Sequence, residues 1–340
     1  MKIELCEYNP NWQAQFDSLK QQLLLVIGDD YSIEHIGSTS VEGLCAKPTI
    51  DILIGIDRIT DSELLIPKIT QLGYDYIPEY ENQMPERRYF QKLHNGKHLA
   101  HIHLVEKQSL FWKRHLFFRN RLRLDSKYRN QYAILKQALA QKEWQDRNDY
   151  AQAKSEFIQK VEEKLDAFQW ETDRLIIKPP TIEDIDHLYL LWSNPVVMRY
   201  VGNGKPRTKH QTRLGLNKMI NHYFENGFTL GCVFKKDTKE FIGRAGLIYL
   251  DYLKSNRDIE VGYMFKQKEW NKGYATECAK YFMNWGFKNI KVPRIVAVTY
   301  PNNLASQRVM KKCKMDQVGS YMYGDIKSVM FEKRNLNEAC

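Results

Sequence analysis

The chain has 340 residues, a length for which two domains are the default. Its composition, 43% hydrophobic and 27% charged, is enough for two cores and excludes a largely disordered chain. The formal net charge of +10 suits phosphorylated ligands, nucleic acid or anionic surfaces, and equally an ordinary soluble basic protein.

Six cysteines, Cys6, Cys45, Cys232, Cys278, Cys313 and Cys340, form no CxxC pair. That spacing argues against a zinc site or a disulfide framework and for a reducing compartment. Residues 1–12 lack the features of a signal peptide, and no apolar run is long enough to span a bilayer. The cytoplasm is the expected compartment, and a membrane is not an expected partner.

In chain order, Trp12, Phe16, Leu19, Leu23 and Val26 recur at helical spacing. Strands are expected at Ser32–Ile36 and at 49–56, where Ile50, Ile52, Ile54 and Ile56 share a face. Further strands are expected at 88–93 and 99–105. From 109 to 165 there is no Gly or Pro, which predicts two or three packed helices. Lys113, Arg114, Arg119, Arg121, Arg123, Lys127 and Arg129 crowd this stretch among Phe111, Trp112, Phe117, Phe118 and Leu122. We read the basic run as a solvated helix face over an apolar core, so nucleic acid is not an expected partner.

A break falls at 166–172, giving expected domains 1–166 and 170–334. After it comes a strand at 174–178, stopped by Pro179 and Pro180. Thr181 is placed to cap a helix at 182–193, with Asp184 three residues on. A helix at Lys209–Asn226 precedes strands at 228–235, 240–250 and 257–266. Lys236 and Asp237 lie in a turn. A helix at 273–288, a strand at Arg294–Thr299, a helix at 305–312 and two short strands close the chain. Alternating elements of this kind predict an α/β or α+β architecture.

Two constellations carry chemistry. In the second half, Ile259-Glu260-Val261-Gly262-Tyr263-Met264-Phe265 runs into Trp270-Asn271-Lys272-Gly273-Tyr274-Ala275-Thr276-Glu277. This is a strand, a Gly-containing loop and a helix start, whose unpaired amides suit a pyrophosphate. Thr299-Tyr300-Pro301-Asn302-Asn303-Leu304-Ala305-Ser306 follows. With the opening Glu171-Thr172-Asp173-Arg174-Leu175, these segments resemble the GNAT superfamily, in the branch that includes the ribosomal-protein N-terminal acetyltransferases. The resemblance implies an acyl-CoA N-acyltransferase fold and an N-acetyltransferase taking acetyl-CoA and a primary amine, small or on a protein. It implies a phosphate loop at Trp270, Asn271, Lys272, Gly273, Tyr274, Ala275 and Thr276, with Asn271 where a Gly is common. Met264 and Phe265 are implied beside acetyl-CoA, and Asn303 and Ser306 near the thiol sulfur. The family's frequent tyrosine acid is replaced by Met310, which leaves Ser306 or a water. A Gly that ends the last helix is replaced by Lys314. Glu260 projects away from Ile259 and Val261, either as a base or water-positioning group or as a structural ion-pair partner of Arg244.

In the first half, His35-Ile36-Gly37-Ser38-Thr39-Ser40 precedes Lys47-Pro48-Thr49-Ile50-Asp51. Arg87-Arg88, His101-Ile102-His103 and Phe117-Phe118-Arg119 follow, with Asn120 where an Asp is frequent. Together these resemble the GrpB-like family, which implies a nucleotidyltransferase-like fold. Gly37 and Ser38 are candidates to hold phosphate, and Asp51, His101 and His103 to hold a divalent metal. Asp51 shares its strand face with Leu53, so a second acid is missing. Nucleotidyl transfer, nucleotide binding alone and a catalytically silent fold remain open, as does a non-catalytic protein that senses CoA or nucleotides.

Overall fold

The computed structural model describes residues 3–145, 147–165, 167–250, 258–323 and 326–335. They form two compact units that part between Ala167 and Phe168, each a mixture of helices and one sheet.

The first unit begins with α1 (Asn11–Ile27), whose Trp12, Phe16, Leu19, Leu23 and Ile27 are buried at helical spacing. They pack on β1 (Ser32–Ile36) and β2 (Ile50–Ile56), and all four isoleucines of β2 enter that core. After α2 (Ile66–Thr70) come β3 (Asp75–Tyr76), β4 (Arg87–His94) and β5 (Lys97–Glu106). The sheet order is β1-β2-β5-β4-β3. β2 pairs parallel to β5 and antiparallel to β1, so it is shielded on both edges. Its other face carries Asp51, Leu53 and Gly55. A Cβ on Gly55 would lie 2.7 Å from the Trp112 ring, so this glycine admits the first helix of the C-terminal group.

Among the described residues that group has four helices where two or three were expected: α3 (Leu110–Leu124), α4 (Ser126–Ala140), α5 (Arg147–Gln152) and α6 (Ser155–Glu162). Asp125 separates the first two, accepting from the Lys127 amide as the cap of α4. The basic run also departs from expectation. Arg119 is 2% exposed and donates to Glu34 at 2.7 Å and to the His35 carbonyl. Arg123 donates to the Ser40 carbonyl. Both turn inward because β1 and the 38–40 turn present acceptors there, so only part of this face is solvated.

The second unit contains β6 (Trp170–Glu171), β7 (Leu175–Lys178), α7 (Ile185–Trp192), α8 (Pro195–Met198), α9 (Lys209–Asn226), β8 (Leu230–Lys235), β9 (Phe241–Tyr249) and β10 (Ile259–Phe265). It continues with α10 (Tyr274–Asn289), β11 (Arg294–Thr299), α11 (Leu304–Lys312), β12 (Asp316–Tyr323) and β13 (Ile326–Arg334). Arg257, expected to open β10, lies outside the described residues. The sheet order is β12-β13-β11-β10-β9-β8-β7-β6. Thr181 and Asp184 form the expected capping box, but the first turn is 3-10 and α7 starts at Ile185. Phe228 stays out of β8 because Gly227 ends α9 at φ +81 and the Phe228 carbonyl bonds the His222 ring. The closing strands, expected to be short, have eight and nine residues.

The faces of this sheet are distinct. Ile248 and Met264 join Leu188, Leu191, Trp192, Leu216 and Met219 in the core under α7 and α9. On the other face α10 packs closely, since a Cβ on Gly286 would lie 2.8 Å from both Ile295 and Leu247.

Candidate functional site

In the second unit the site forms where two parallel strands separate. β10 pairs with β9 along its whole length, from Ile259 to Phe265. β11 pairs with β13 from Arg294 to Thr299. Between β10 and β11, however, pairing occurs only at Ile259↔Ile295 and Glu260↔Val296. Beyond Glu260 the strands diverge into a fork. The β10 edge from Val261 to Phe265 is then open to an extended group that offers backbone-like hydrogen bonds.

Glu260 stands at the apex of this fork. By strand alternation it shares its face with Ile248 and Met264, the face covered by α7 and α9. Burial pushes its carboxyl up to about 7, against the opposing pull of a hydrogen bond from the Val298 amide and the charge of Arg244. Arg244 lies opposite Met264 on the same face and also spreads over the Trp192 ring, 4.9 Å from its centroid.

Tyr263, one step from Gly262, points to the other face. Its hydroxyl lies 3.0 Å from Ser306 Oγ and 3.3 Å from the Ser306 carbonyl. Burial raises the tyrosine above its ordinary range, so it stays a neutral hydroxyl. Sequence reading missed this residue, because nothing local ties positions 43 residues apart. Asn303 caps α11: its Oδ1 accepts from the Ser306 amide at 3.2 Å, and its Nδ2 donates to Thr299 Oγ1 at 3.0 Å. Its side chain thus fixes the Ser306 backbone to the end of β11. Met310 is buried and offers no proton.

The loop from Trp270 into α10 is held from both ends. Trp270 Nε1 donates to the Phe265 carbonyl at 2.9 Å. Asn271 and Gly273 take φ of +62 and +85, which asparagine and glycine tolerate best. No side chain caps α10, so its first amides face the loop. Lys272 reaches the buried Glu269, which also takes Lys235. Arg174, quoted in the motif but given no role, organises this loop. It donates to Glu277 and to the Lys272 carbonyl, and its guanidinium lies 4.5 Å from the Tyr274 ring centroid. Glu277 in turn accepts from Thr172 and the Arg174 amide. Met264 and Phe265 are buried at the end of β10 beside this loop.

The first unit gathers its predicted residues around the end of β2. Gly37 takes φ +70, and a Cβ there would lie 2.2 Å from Asp51 Oδ2. Only glycine lets the 38–40 turn close against this carboxylate. His101 Nδ1 lies 3.1 Å from Asp51 Oδ1, and His101 Nε2 lies 2.9 Å from His98 Nδ1. Burial opposes ionisation of Asp51, but the His101 hydrogen bond and the neighbouring histidines outweigh it and hold it below its usual range. His103 is pushed down to about 3 by burial and lies within reach of Arg87, at 3.5 Å. Arg87 is ringed by Tyr80, Tyr89 and Phe111.

The expected metal set is not assembled. Asp51 and His101 bond one another, and among the described residues no group of three or more His, Cys, Asp or Glu could hold a metal ion. Leu53, in line with Asp51, is fully buried. These residues do not fit a two-metal centre for phosphoryl transfer.

The family model described as "GrpB protein" matches residues 2–164, and that described as "Acetyltransferase (GNAT) domain" matches residues 174–316. The UPF0157 protein YqkA of Bacillus subtilis is 38% identical over 174 residues, which cover 51% of this chain and about half, 49%, of that protein. Another UPF0157 protein, from Halalkalibacterium halodurans, is 36% identical over 48% of this chain and 83% of its own length. The N-acetyltransferase YoaA of Bacillus subtilis is 31% identical over 45% of this chain and 87% of its own length.

Proposed function

We propose, for a chain that belongs to the GrpB family in its first half and to the GNAT acetyltransferases in its second, that the second unit moves an acetyl group from acetyl-CoA to a primary amine. The observation that carries this reading is the fork between β10 and β11 with Glu260 at its apex. The open β10 edge suits the pantetheine arm, and the loop of Trp270, Asn271, Lys272, Gly273, Tyr274, Ala275 and Thr276 suits the pyrophosphate. Acetyl-CoA supplies an activated thioester. The protein's own task is then to place two groups and to handle two protons.

An amine near neutral pH is mostly protonated and must lose a proton before it attacks. Glu260 is suited to accept that proton, directly or through one water, because its carboxyl titrates near neutrality. Ser306 lies on the opposite side of the sheet, hydrogen-bonded to Tyr263. Together they hold a proton for the departing thiolate, in the place left by Met310. The base and the acid thus flank the fork from opposite faces, so amine and thiol need not compete for one side. Asn303 acts by positioning Ser306.

The acceptor is a small amine or a protein α-amine. The net charge of +10 disfavours polycations such as spermine at long range. In the first unit, we propose ligand binding without nucleotidyl transfer, since Asp51 is the only acid on its strand face and Leu53 fills the next position. Metal-dependent release of pyrophosphate from ATP would support the bifunctional alternative. The cytoplasm is the proposed compartment, supported by five free thiols among the described residues. No helix among them is long and apolar enough to cross a membrane.

Thiol release from acetyl-CoA across a panel of amines tests the main reading. Turnover with at least one primary amine is expected. No turnover, together with no thermal stabilisation by acetyl-CoA, would overturn it.

A further inference from the structure

Three lysines meet in the first unit, Lys47 from a GrpB motif and two from the helical group that follows. Lys47 precedes β2, Lys136 is on α4, and Lys154 lies between α5 and α6. The ammonium groups of Lys47 and Lys154 stand 4.7 and 4.4 Å from the centroid of one ring, that of Tyr150. Lys136 is 3% exposed; its ammonium donates to the Cys45 carbonyl and lies 5.7 Å from the Tyr132 ring. Tyr150 is itself 3% exposed, and its hydroxyl has no hydrogen-bond partner among the described residues. Tyr132 is hydrogen-bonded to Ser38, which joins this cluster to the 38–40 turn.

Such a cluster is unfavourable by itself. Burial strips water from ammonium groups, and like charges repel. Both effects act here: burial, then the charges of Lys154 and Lys47, bring Lys136 down to about 7, and burial, then Lys47, brings Lys154 down to about 8. Asp51 favours both charges but is already engaged by His101. A multiply charged anion would attract each ammonium, offset both penalties and give the Tyr150 hydroxyl a partner. Cations spread around two rings match an anion with several oxygen-bearing centres better than a single carboxylate.

We propose that Lys47, Lys136, Lys154 and the Tyr150 hydroxyl form a binding site for the polyphosphate group of a ligand. The proposal rests on the binding role given above to the first unit and supplies the charged end of its ligand. The polyphosphate is either free or part of a nucleotide.

Isothermal titration of the full chain at low salt, with tripolyphosphate and separately with ATP, tests this. Lys136→Met and Lys154→Met should each weaken tripolyphosphate binding at least about tenfold, and Tyr150→Phe by less. All titrations carry Gly273→Asp, which puts a carboxylate into the phosphate loop of the second unit and leaves the first unit to take the anion. Lys154 is only partly buried, so its variant carries the test if Lys136→Met does not fold. ATP binding more tightly than tripolyphosphate identifies a nucleotide. Equal affinity identifies free polyphosphate and removes the nucleotide reading while the site stands. No binding of either at millimolar concentration would overturn the site. So would binding that survives the lysine changes in that background.

Discussion

Both units place one carboxylate on a central strand, and they tune it in opposite directions. Glu260 has a backbone amide and a more distant arginine for company, and burial wins: its carboxyl rises to about 7. Asp51 is also desolvated, but His101 bonds it directly and other histidines surround it, so it is held below its ordinary value. One is a group that changes charge near neutrality. The other stays an anion. Burial alone therefore says little about the role of a carboxylate; the partner within hydrogen-bond reach decides it.

Glu260→Gln is the hardest test of this contrast and carries the largest expected effect. It keeps the shape and removes the proposed base. The acetyl-transfer rate should fall about a hundredfold at neutral pH, with acetyl-CoA binding little changed. The wild-type rate should rise with pH and level off above about 7, as Glu260 loses its proton. The variant should lose that inflection, and its deficit should shrink as free amine accumulates. Wild-type turnover in the variant would leave Glu260 as a structural partner of Arg244.

Stability should separate the two carboxylates by sign. The folded-state value of Glu260 lies above its ordinary one, so its contribution is favourable at pH 4 and is lost as pH rises through about 7. Glu260→Gln should then stabilise the second unit at pH 8, by about 1–3 kcal/mol, and be neutral near pH 4. Asp51 is depressed, so its contribution is present above the ordinary carboxylate range and lost as pH falls through its lower folded value. Asp51→Asn should destabilise the first unit at pH 8, with the difference fading in acid, and should spare acetyl transfer. Denaturant melts of both variants at pH 4 and 8 check this. Shifts of the same sign at pH 8 would break the contrast.

The hydroxyl pair proposed as the acid calls for a smaller effect. Ser306→Ala should slow turnover about tenfold, without the pH trend of the Glu260 variant. Tyr263→Phe should slow it less, since Ser306 keeps its own hydroxyl. A Tyr263→Phe loss larger than that of Ser306→Ala would make the tyrosine the direct donor.

What could be read from sequence follows the range of the interactions. Glycine-bearing turns, the capping box at Thr181 and the alternating isoleucines of β2 are local, and they were legible. The strand, glycine-bearing loop and helix start between Ile259 and Glu277 were legible because their residues are consecutive. The fork was not, because it depends on where two strands stop pairing, and no residue type marks that point. Tyr263 meeting Ser306, Arg119 turning in to Glu34, and the lysines around Tyr150 each join distant segments. A basic residue in a basic run looks solvated until its acceptor is known.

Two helices of the second unit leave through a left-handed position with different residues. α9 ends on Gly227, at φ +81, where that conformation costs nothing. After α11 the same kind of position is held by Lys314, at φ +57. A side chain there costs roughly 1–2 kcal/mol in the folded state. Replacing it with glycine removes that cost but gives the unfolded chain more freedom, which takes back roughly 0.4–1 kcal/mol. The folded-state term is the larger, so Lys314→Gly should stabilise the second unit by about 0.5–1 kcal/mol. The effect should appear as a higher denaturant midpoint at unchanged slope, with turnover unaltered. A lower midpoint would mean that contacts of the lysine stem outweigh the strain, and that the left-handed end of α11 is as well served by Lys314 as the end of α9 is by Gly227.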